Sequence, residues 1–431
     1  MAGEGSGESM DLVVVGAGAA GLMAAIAAGE ATPPGTRILL LERSRDGGRK
    51  ILISGGGRCN VLPSRLDPRW YFTDSSPHTL KKLLLAWPLA AQRRFFEGDL
   101  GIPLKLEEET GKLFPVSDRA RDVRDALVDR ALRAGVRVLF ETSLLGLAQQ
   151  EDGSWRVSLE GGGGFRSRVV LLATGGLSVP ATGSDGTGLR LLEGLGHTLH
   201  PLYPALTPLL ADPPVHRELA GVSLDLTLAA PGEPAKPEAR GGFLFTHRGY
   251  SGPTVLDLSH FAVRSRGTEH PVELLVRWTN DTEEVWDQRL QEAARVRGGS
   301  TMAAILRERL PQRLADRLLE EAEVPVDRSP ARLSREERRR LAAALGAYPL
   351  PWTGDEGYKK AEVTGGGVSL AEVEPRTLES RLCPGLFLCG ELLDAFGPIG
   401  GFNFAWAWAT GRTAGLGAAA RLAEMGVGAP G

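Results

Sequence analysis

Hydrophobic positions along this chain fall into runs of two kinds. Short runs of Val, Leu and Ile have strand length, and longer stretches with an apolar residue every third or fourth position have helical period. Residues 11–15, ending in Val13, Val14 and Val15, predict a strand; residues 22–30, rich in alanine, a helix; residues 37–41 a second strand, closed by Glu42. Residues 77–97 predict a helix with Leu80, Leu83, Leu84 and Trp87 on one side, and residues 104–116 a hairpin. Ser117 and Asp118 are suited to cap the next helix, which runs through Val123, Leu127 and Leu132 to Gly135. Residues 136–140 return as a strand. Residues 144–147, 155–159 and 165–173 are three further strands with no helix between them, so they form a meander.

Prolines at 201, 204, 208, 213 and 214 mark a boundary. Beyond it Val222, Leu224, Leu226 and Leu228 alternate with polar residues, predicting a half-buried strand. Residues 242–246 and 272–278 read as strands, and residues 283–296, 302–310, 312–323 and 334–345 as helices whose charge runs form solvated faces. The last part returns to glycine turns, a strand at 385–389, and an apolar helix from Phe404 to Leu422. The expected fold is α/β, with helix-then-strand units of a parallel sheet before about residue 200 and a mixed β and α insertion after it.

The glycines between the first strand and helix carry the chemistry. GAGAAG places Gly16, Gly18 and Gly21 at the GxGxxG spacing, and Glu42 lies 21 positions after Gly21. Gly16 permits the turn, Gly18 lets a pyrophosphate approach the backbone, and Gly21 lets the helix pack on the strand. The helix N-terminus favours phosphate, and Glu42 stands where a carboxylate accepts ribose hydroxyls. Residues 12–29 include no charge, the lower length limit of a membrane span, but their four glycines argue for the nucleotide site. Residues 42–60, ERSRDGGRKILISGGGRCN, read as a cofactor-wrapping loop in which glycine backbone and Arg43, Arg45, Arg49, Lys50 and Arg58 meet an anion. Thr174 and Gly175, after the 165–173 strand, bring backbone towards the same ligand. GSDGTG at 183–188 reads as a turn and helix cap. Gly400 and Gly401 open the last helix, whose N–H groups would face the N1–C2=O end of a flavin, with Glu391 on a ribityl hydroxyl.

Lys plus Arg number 50 and Asp plus Glu 53, so the net charge of −3 provides no chain-wide field for nucleic acid. Residues 1–10 contain two glutamates and no basic residue, unlike a secretory leader, and read as a disordered lead-in. Cys59, Cys383 and Cys389 form no CxxC, which suits a reducing, cytoplasmic setting, and no His/Cys cluster has metal-site spacing.

Seven runs carry a family resemblance: GAGAAGLMAA, GRKILISGGGRCN, KLFPVSDRARDV, ATGGLSVPATGSDG, LFTHRGYSGPTVLDLS, EVTGGGVSLAEVEPRTLESR and CGELLDAFGPIGGFNFAWAWATG. In this order the chain resembles the HI-0933-like, or aminoacetone oxidase/BaiN-like, FAD-dependent oxidoreductases over nearly its whole length. The resemblance implies FAD bound by a Rossmann-type domain of two sequence halves, residues 1–200 and 356–431, around an inserted β-rich domain with a helical segment, residues 201–355; the FAD is expected to be non-covalent, with Cys59 packed near the ring. It places Gly16, Gly18, Ala19, Ala20 and Gly21 at the pyrophosphate and Glu42 and Arg43 at the ribose. It sets Gly48, Arg49, Lys50, Gly56, Gly57, Arg58, Cys59 and Asn60 beside the flavin, and Leu144 beside adenine. Thr174, Gly175, Gly390, Glu391, Gly400, Gly401, Phe402 and Asn403 complete the ribityl and isoalloxazine end. GSDGTG departs from the family's GSTGDG form, and Pro398, Ile399 and Phe402 vary the run before the last helix.

The expected activity is NAD(P)H-linked reduction of an unsaturated small organic substrate. With no second complete GxGxxG unit, NAD(P)H docks transiently. Alternatives are a flavin amine oxidase using dioxygen and, in another class, a flavin-bearing binding or RNA-modification accessory protein. Near-neutral charge and the lack of an RNA module count against the last. No catalytic acid or base stands out. His247, Tyr250 and Ser251 in THRGYSGP are the substrate-facing candidates, although Ser251 also suits a cap for the helix starting at Pro253.

Overall fold

A computed structural model describes residues 8–426. The chain forms two compact units: Met1–Leu202 with Val363–Gly431, and Tyr203–Glu362. The first is an α/β structure about a seven-stranded sheet. Strand β1 (Glu8–Val15) lies at its centre, with β2 (Ile38–Leu41) and then Arg137–Leu139 on one side, all parallel. On its other side β1 pairs in parallel with Gly164–Leu172. That long strand divides its far edge: Gly164–Ser167 pairs antiparallel with Trp155–Leu159, while Val170–Leu172 pairs parallel with Leu386–Leu388 from the C-terminal part. The meander and the nucleotide-binding strands therefore share one sheet.

Helix α1 (Ala19–Ala31) joins β1 to β2 and is buried from Ala20 to Ala28. The final helix, Phe402–Glu424, packs on it through small residues. A Cβ on Gly411 would sit 2.3 Å from Ala20 O, and one on Gly415 2.2 Å from Ala24 O. Backbones this close admit only glycine, so the Gly411–Gly415 spacing holds the C-terminal part against the nucleotide-binding helix.

Several expectations are corrected. The first strand begins at Glu8, and Met10 is buried within it; the rest of the expected lead-in, residues 1–7, lies outside the described residues. Pro88 divides the expected 77–97 helix into Pro77–Leu85 and Leu89–Arg94, followed by the wider turn Phe95–Asp99. The helix Ala120–Arg133 follows Arg119 without a side-chain cap, so neither Ser117 nor Asp118 caps it. Within the wrapping loop, Arg49–Ile53 forms a short helix, α2, after Gly48 at φ +60°.

The second unit is built on an antiparallel seven-stranded sheet. Its strand Ser223–Ala229 alternates only at first. Leu226 to Ala229 are all buried, because Leu275–Arg277 pairs alongside and Thr227 gives its hydroxyl proton to Asn280 Oδ1 at 2.6 Å. Ser334 and Glu337 make a capping box on the helix Arg335–Gly346. The core beneath holds Phe243, Phe245, Trp278 and Trp286.

Candidate functional site

At the C-terminal ends of β1 and β2, the three glycines of the GxGxxG run have different reasons to be glycine. Gly16 has φ +100°, and a Cβ there would meet Ala173 O at 2.5 Å. A Cβ on Gly21 would lie 1.8 Å from Gly16 O, so it sets the close packing of helix on strand. Gly18 precedes α1 at an ordinary φ of −78°, and nothing lies within 4 Å of its Cβ position. The fold itself does not require glycine there, and the open space over a helix N-terminus fits a pyrophosphate approaching the backbone.

Glu42 is buried and fixed. Ala17 N–H donates to its Oε2 at 2.7 Å, and Ser44 N–H and hydroxyl donate to Oε1 at 2.8 and 2.6 Å. The wrapping loop is tied back by Gly48 N–H to Ala17 O at 2.8 Å and by the buried Arg124, whose Nη1 donates to Asp46 O at 2.8 Å. Arg43 pairs with Asp185. Burial opposes ionisation of Asp185, but hydrogen bonds from Arg43 and Thr187 outweigh it and hold the carboxyl down to about 2. GSDGTG is thus a turn: Asp185 braces it, and Gly186 precedes the helix Thr187–Gly194.

Beyond α2 the loop passes through Gly55, Gly56 and Gly57, all at positive φ. Lys50 Nζ donates to Ser178 Oγ and to Glu391 Oε2, each at 2.6 Å. Ser178 Oγ and Thr364 N–H donate to Glu391 Oε1 at 2.6 and 2.9 Å. Burial raises the Glu391 carboxyl, yet Lys50, Ser178 and Thr364 together outweigh it and hold the group below the usual glutamate range. Glu391 belongs to an ion-paired network, which the expectation of a lone ribityl contact did not include.

Other members of the expected set face the protein. Cys59 is fully buried at φ +65°, and burial pushes its thiol up to about 12. Arg58 stacks over Phe114 at 4.0 Å and pairs with Glu107 at 3.1 Å. Asn403 spends its amide closing a turn: Oδ1 accepts from Gly397 N–H, and Nδ2 donates to Gly397 O, both at 2.9 Å. Thr174 Oγ1 is buried without a hydrogen-bond partner and packs where a Cβ on Gly188 would be, so this segment offers backbone at Gly175. Arg49 reaches Asp46 at 3.2 Å. Leu144 is the buried first residue of the strand Leu144–Gln149.

The final helix starts at Phe402, two residues before the expected Phe404, after Gly400 and Gly401 at φ +108° and +95°. A Cβ on Gly401 would strike Leu62 C at 2.6 Å, Pro63 N at 2.9 Å and Asn60 O at 3.0 Å. The need for glycine there comes from the chain's own backbone. Gly390, at φ +73°, accepts from Trp406 Nε1 at 3.0 Å through its carbonyl.

The three substrate candidates lie in the other unit. Tyr250 is fully buried, and its hydroxyl meets His216 Nδ1 at 2.9 Å within a cluster completed by Glu321 and Tyr348. It is a core residue and not substrate-facing. Gly252, not Ser251, precedes the helix Pro253–Ser265; Ser251 lies in a strand paired with Leu244. His247 is exposed in the adjoining turn. Arg124, Ser178, Thr364 and Asp394 were not anticipated. Ser178, Thr364 and Asp394 lie inside the ATGGLSVPATGSDG, EVTGGGVSLAEVEPRTLESR and CGELLDAFGPIGGFNFAWAWATG runs, and Arg124 directly follows KLFPVSDRARDV, but nothing in the spacing singles any of them out.

A parallel sheet with a glycine turn at its C-terminal edge, an acid at the end of the next strand and a returning C-terminal helix define a Rossmann-type flavoprotein, an FAD-dependent oxidoreductase. The chain belongs to the HI0933-like family, whose description, "HI0933-like protein Rossmann domain", matches residues 10–417. It is 34% identical to a ribosomal RNA dihydrouridine synthase of Escherichia coli, over 94% of this chain and 96% of that one. It is 33% identical to a 3-dehydro-bile acid delta(4,6)-reductase of Clostridium scindens, over 95% and 98%. In fold it is similar to a quinol fumarate reductase of Escherichia coli, with TM-score 0.51 at 18% identity, covering 99% of this chain and 72% of that one. No helix among the described residues is long and apolar enough to cross a membrane.

Proposed function

We propose that this enzyme reduces a carbon–carbon double bond conjugated to a carbonyl, with NAD(P)H as a transiently bound electron donor. The observation that carries the reading is Gly18, where the fold leaves open the space a dinucleotide's pyrophosphate needs. FAD held there supplies hydride-transfer chemistry. Gly18 would admit the pyrophosphate, Glu42 would meet the ribose, and the N-terminus of the final helix would favour negative charge on the flavin. The names of two relatives support the reaction class. A delta(4,6)-reductase saturates a conjugated alkene, and dihydrouridine is uridine with its C5=C6 bond, conjugated to the C4 carbonyl, saturated. In balance, NAD(P)H and one proton add two hydrogens across the double bond and leave NAD(P)+.

For the substrate, a small unsaturated organic molecule is the first reading. Uridine within RNA is the second, favoured by the name of the Escherichia coli relative. A net charge of −3 denies RNA a chain-wide basic field but leaves local contacts open. The test is anaerobic mixing of the FAD-loaded protein with NADH or NADPH, then with a steroid enone, a uridine-containing ribosomal RNA fragment, or dioxygen. Bleaching by a nicotinamide and recovery by an enone or by RNA is the expected result. Bleaching by neither nicotinamide refutes the reading, and bleaching by a small amine with recovery only in dioxygen moves the enzyme to the amine-oxidase class.

A further inference from the structure

Residues 71–75 are clamped to the segment that leads into the final helix. Tyr71 Oη donates to Phe402 O at 2.7 Å. Phe72 and Phe396 exchange two backbone hydrogen bonds of 2.8 and 3.1 Å, and their rings stack at 5.3 Å. Asp394 Oδ2 accepts from the Thr73 hydroxyl at 2.9 Å, Asp74 N–H at 2.9 Å, and the N–H and hydroxyl of Ser75, both at 2.8 Å. At the other end, Asp67 accepts from Arg69 N–H at 2.9 Å and so closes the turn Pro68–Trp70. The strap is thus anchored from Tyr71 to Ser75, and a local turn shapes its other end.

Trp70 lies in that turn, directly before Tyr71, and it is 44% exposed. Its ring meets Phe402 edge to face, 5.7 Å between centroids at 80°, and Tyr71 backs Phe402 from 6.2 Å. Phe402 is half-buried and is the first residue of the final helix, directly after Gly401. The fold therefore spends a dense set of hydrogen bonds to present a large aromatic face to water beside that helix N-terminus, where burial of the same ring would contribute stability. Arg69, the nearest cation in sequence, is turned to solvent and paired with Asp67 at 3.0 Å, so the ring of Trp70 is the apolar surface this turn presents.

We propose that Trp70, supported by Phe402, is the surface on which the planar conjugated ring of the substrate stacks. This rests on the reductase reading above, and it adds the recognition element: a flat, neutral, conjugated carbonyl ring, whether a uracil base or a free enone. Trp70 is a specificity residue that touches substrate, and FAD binding does not depend on it.

The test uses FAD-loaded parent, Trp70→Ala and Trp70→Phe, each titrated with a uridine oligonucleotide and with 4-androstene-3,17-dione while the flavin absorption band is followed. Stacking on an aromatic side chain is lost in Trp70→Ala, so the responding probe should bind about 10-fold more weakly or worse. Trp70→Phe keeps a π-face and should stay within about threefold of the parent. FAD affinity should be the same in all three. The probe that responds identifies the source of the ring. Parental probe affinity in Trp70→Ala overturns the proposal, as does loss of FAD affinity in that variant, or a parent whose spectrum moves with neither probe. If Trp70→Ala loses the probe while the parent is never reduced by a nicotinamide, the reductase reading fails and this one stands. Turnover that is indifferent to Trp70→Ala gives the reverse.

Discussion

Replacing Gly18 by Ala separates the demands of the fold from those of the cofactor. The new Cβ has no protein atom within 4 Å, and φ of −78° is open to any residue. Alanine is a poorer helix cap than glycine by less than about 1 kcal/mol, and it gains about 0.4–1 kcal/mol by restricting the unfolded chain. The two nearly cancel, so apoprotein stability should stay within about 1 kcal/mol of the parent. FAD affinity should not survive in the same way. A methyl group where the pyrophosphate meets the backbone removes about one charge-assisted hydrogen bond, about 1.5–3 kcal/mol, or about 10- to 150-fold in dissociation constant. Gly21→Ala is the contrast: its Cβ would lie 1.8 Å from Gly16 O, an overpacking that backbone cannot relieve, at about 3 kcal/mol or more. Urea unfolding of the apoproteins followed by FAD titration measures both. A Gly18→Ala protein with parental FAD affinity, or one destabilised as much as Gly21→Ala, refutes the assignment of that space to the pyrophosphate.

Gly401→Val should destabilise the apoprotein itself, because its side chain strikes the Leu62–Pro63 backbone at 2.6–2.9 Å from a φ of +95°; circular dichroism in urea checks this, and a stable apoprotein that has lost only FAD would refute the backbone obstacle. Lys50→Gln leaves Glu391 with uncharged donors and should cost about 2–3 kcal/mol at neutral pH, less than a fully buried pair because Lys50 is 26% exposed. Glu391 is held below its ordinary value near 4.5, so its contribution is present above that value and lost as pH falls through the depressed one; the gap between parent and variant should close in acid, and a gap that widens there contradicts the pairing. Cys59 remains a thiol at neutral pH, so iodoacetamide at about pH 8 should leave it unmodified in the native protein. By the same burial, acid precipitation should release the flavin into the supernatant, and colour retained in the pellet would show a covalent link.

What was legible in the sequence is what local spacing encodes. Strand, glycine turn, helix and strand are contiguous between Glu8 and Leu41, and each residue's role follows from neighbours a few positions away. The helix Glu283–Val296 was legible to the residue for the same reason, since Thr282 caps it locally. Illegible was anything set by distant partners. Lys50 meets Glu391 across 341 positions and Ser178 across 128, and no motif spans such distances. Tyr250 looked chemical because it stands among His247, Arg248 and Ser251, yet the phenol is buried against His216, 34 positions away. Trp70 belongs to no motif. Its exposure becomes meaningful only once Asp394, Phe396 and Phe402 are seen to fix the strap that carries it.

The glycines show why a motif can be read correctly and its reason misassigned. Sequence identifies a position as glycine but gives no sign of what forbids a side chain there. At Gly21, Gly401, Gly411 and Gly415 the obstacle is the chain's own backbone, at 1.8, 2.6, 2.3 and 2.2 Å from the missing Cβ. Those positions report packing, so substituting them tests the fold before it tests any ligand. Gly98, Gly146, Gly194, Gly232 and Gly299 have neither an obstacle nor a positive φ; four are exposed at the surface, and Gly146 is half-buried at an irregularity of the strand Leu144–Gln149. Gly18 shares their freedom but lies at the start of a buried helix, over the ends of parallel strands, where fold geometry directs phosphate. A glycine that the fold does not need, at a place where the fold concentrates unpaired N–H groups, is the position whose constraint must come from outside the chain. That is why Gly18, and not the longer glycine run before the last helix, is where the cofactor assignment stands or falls.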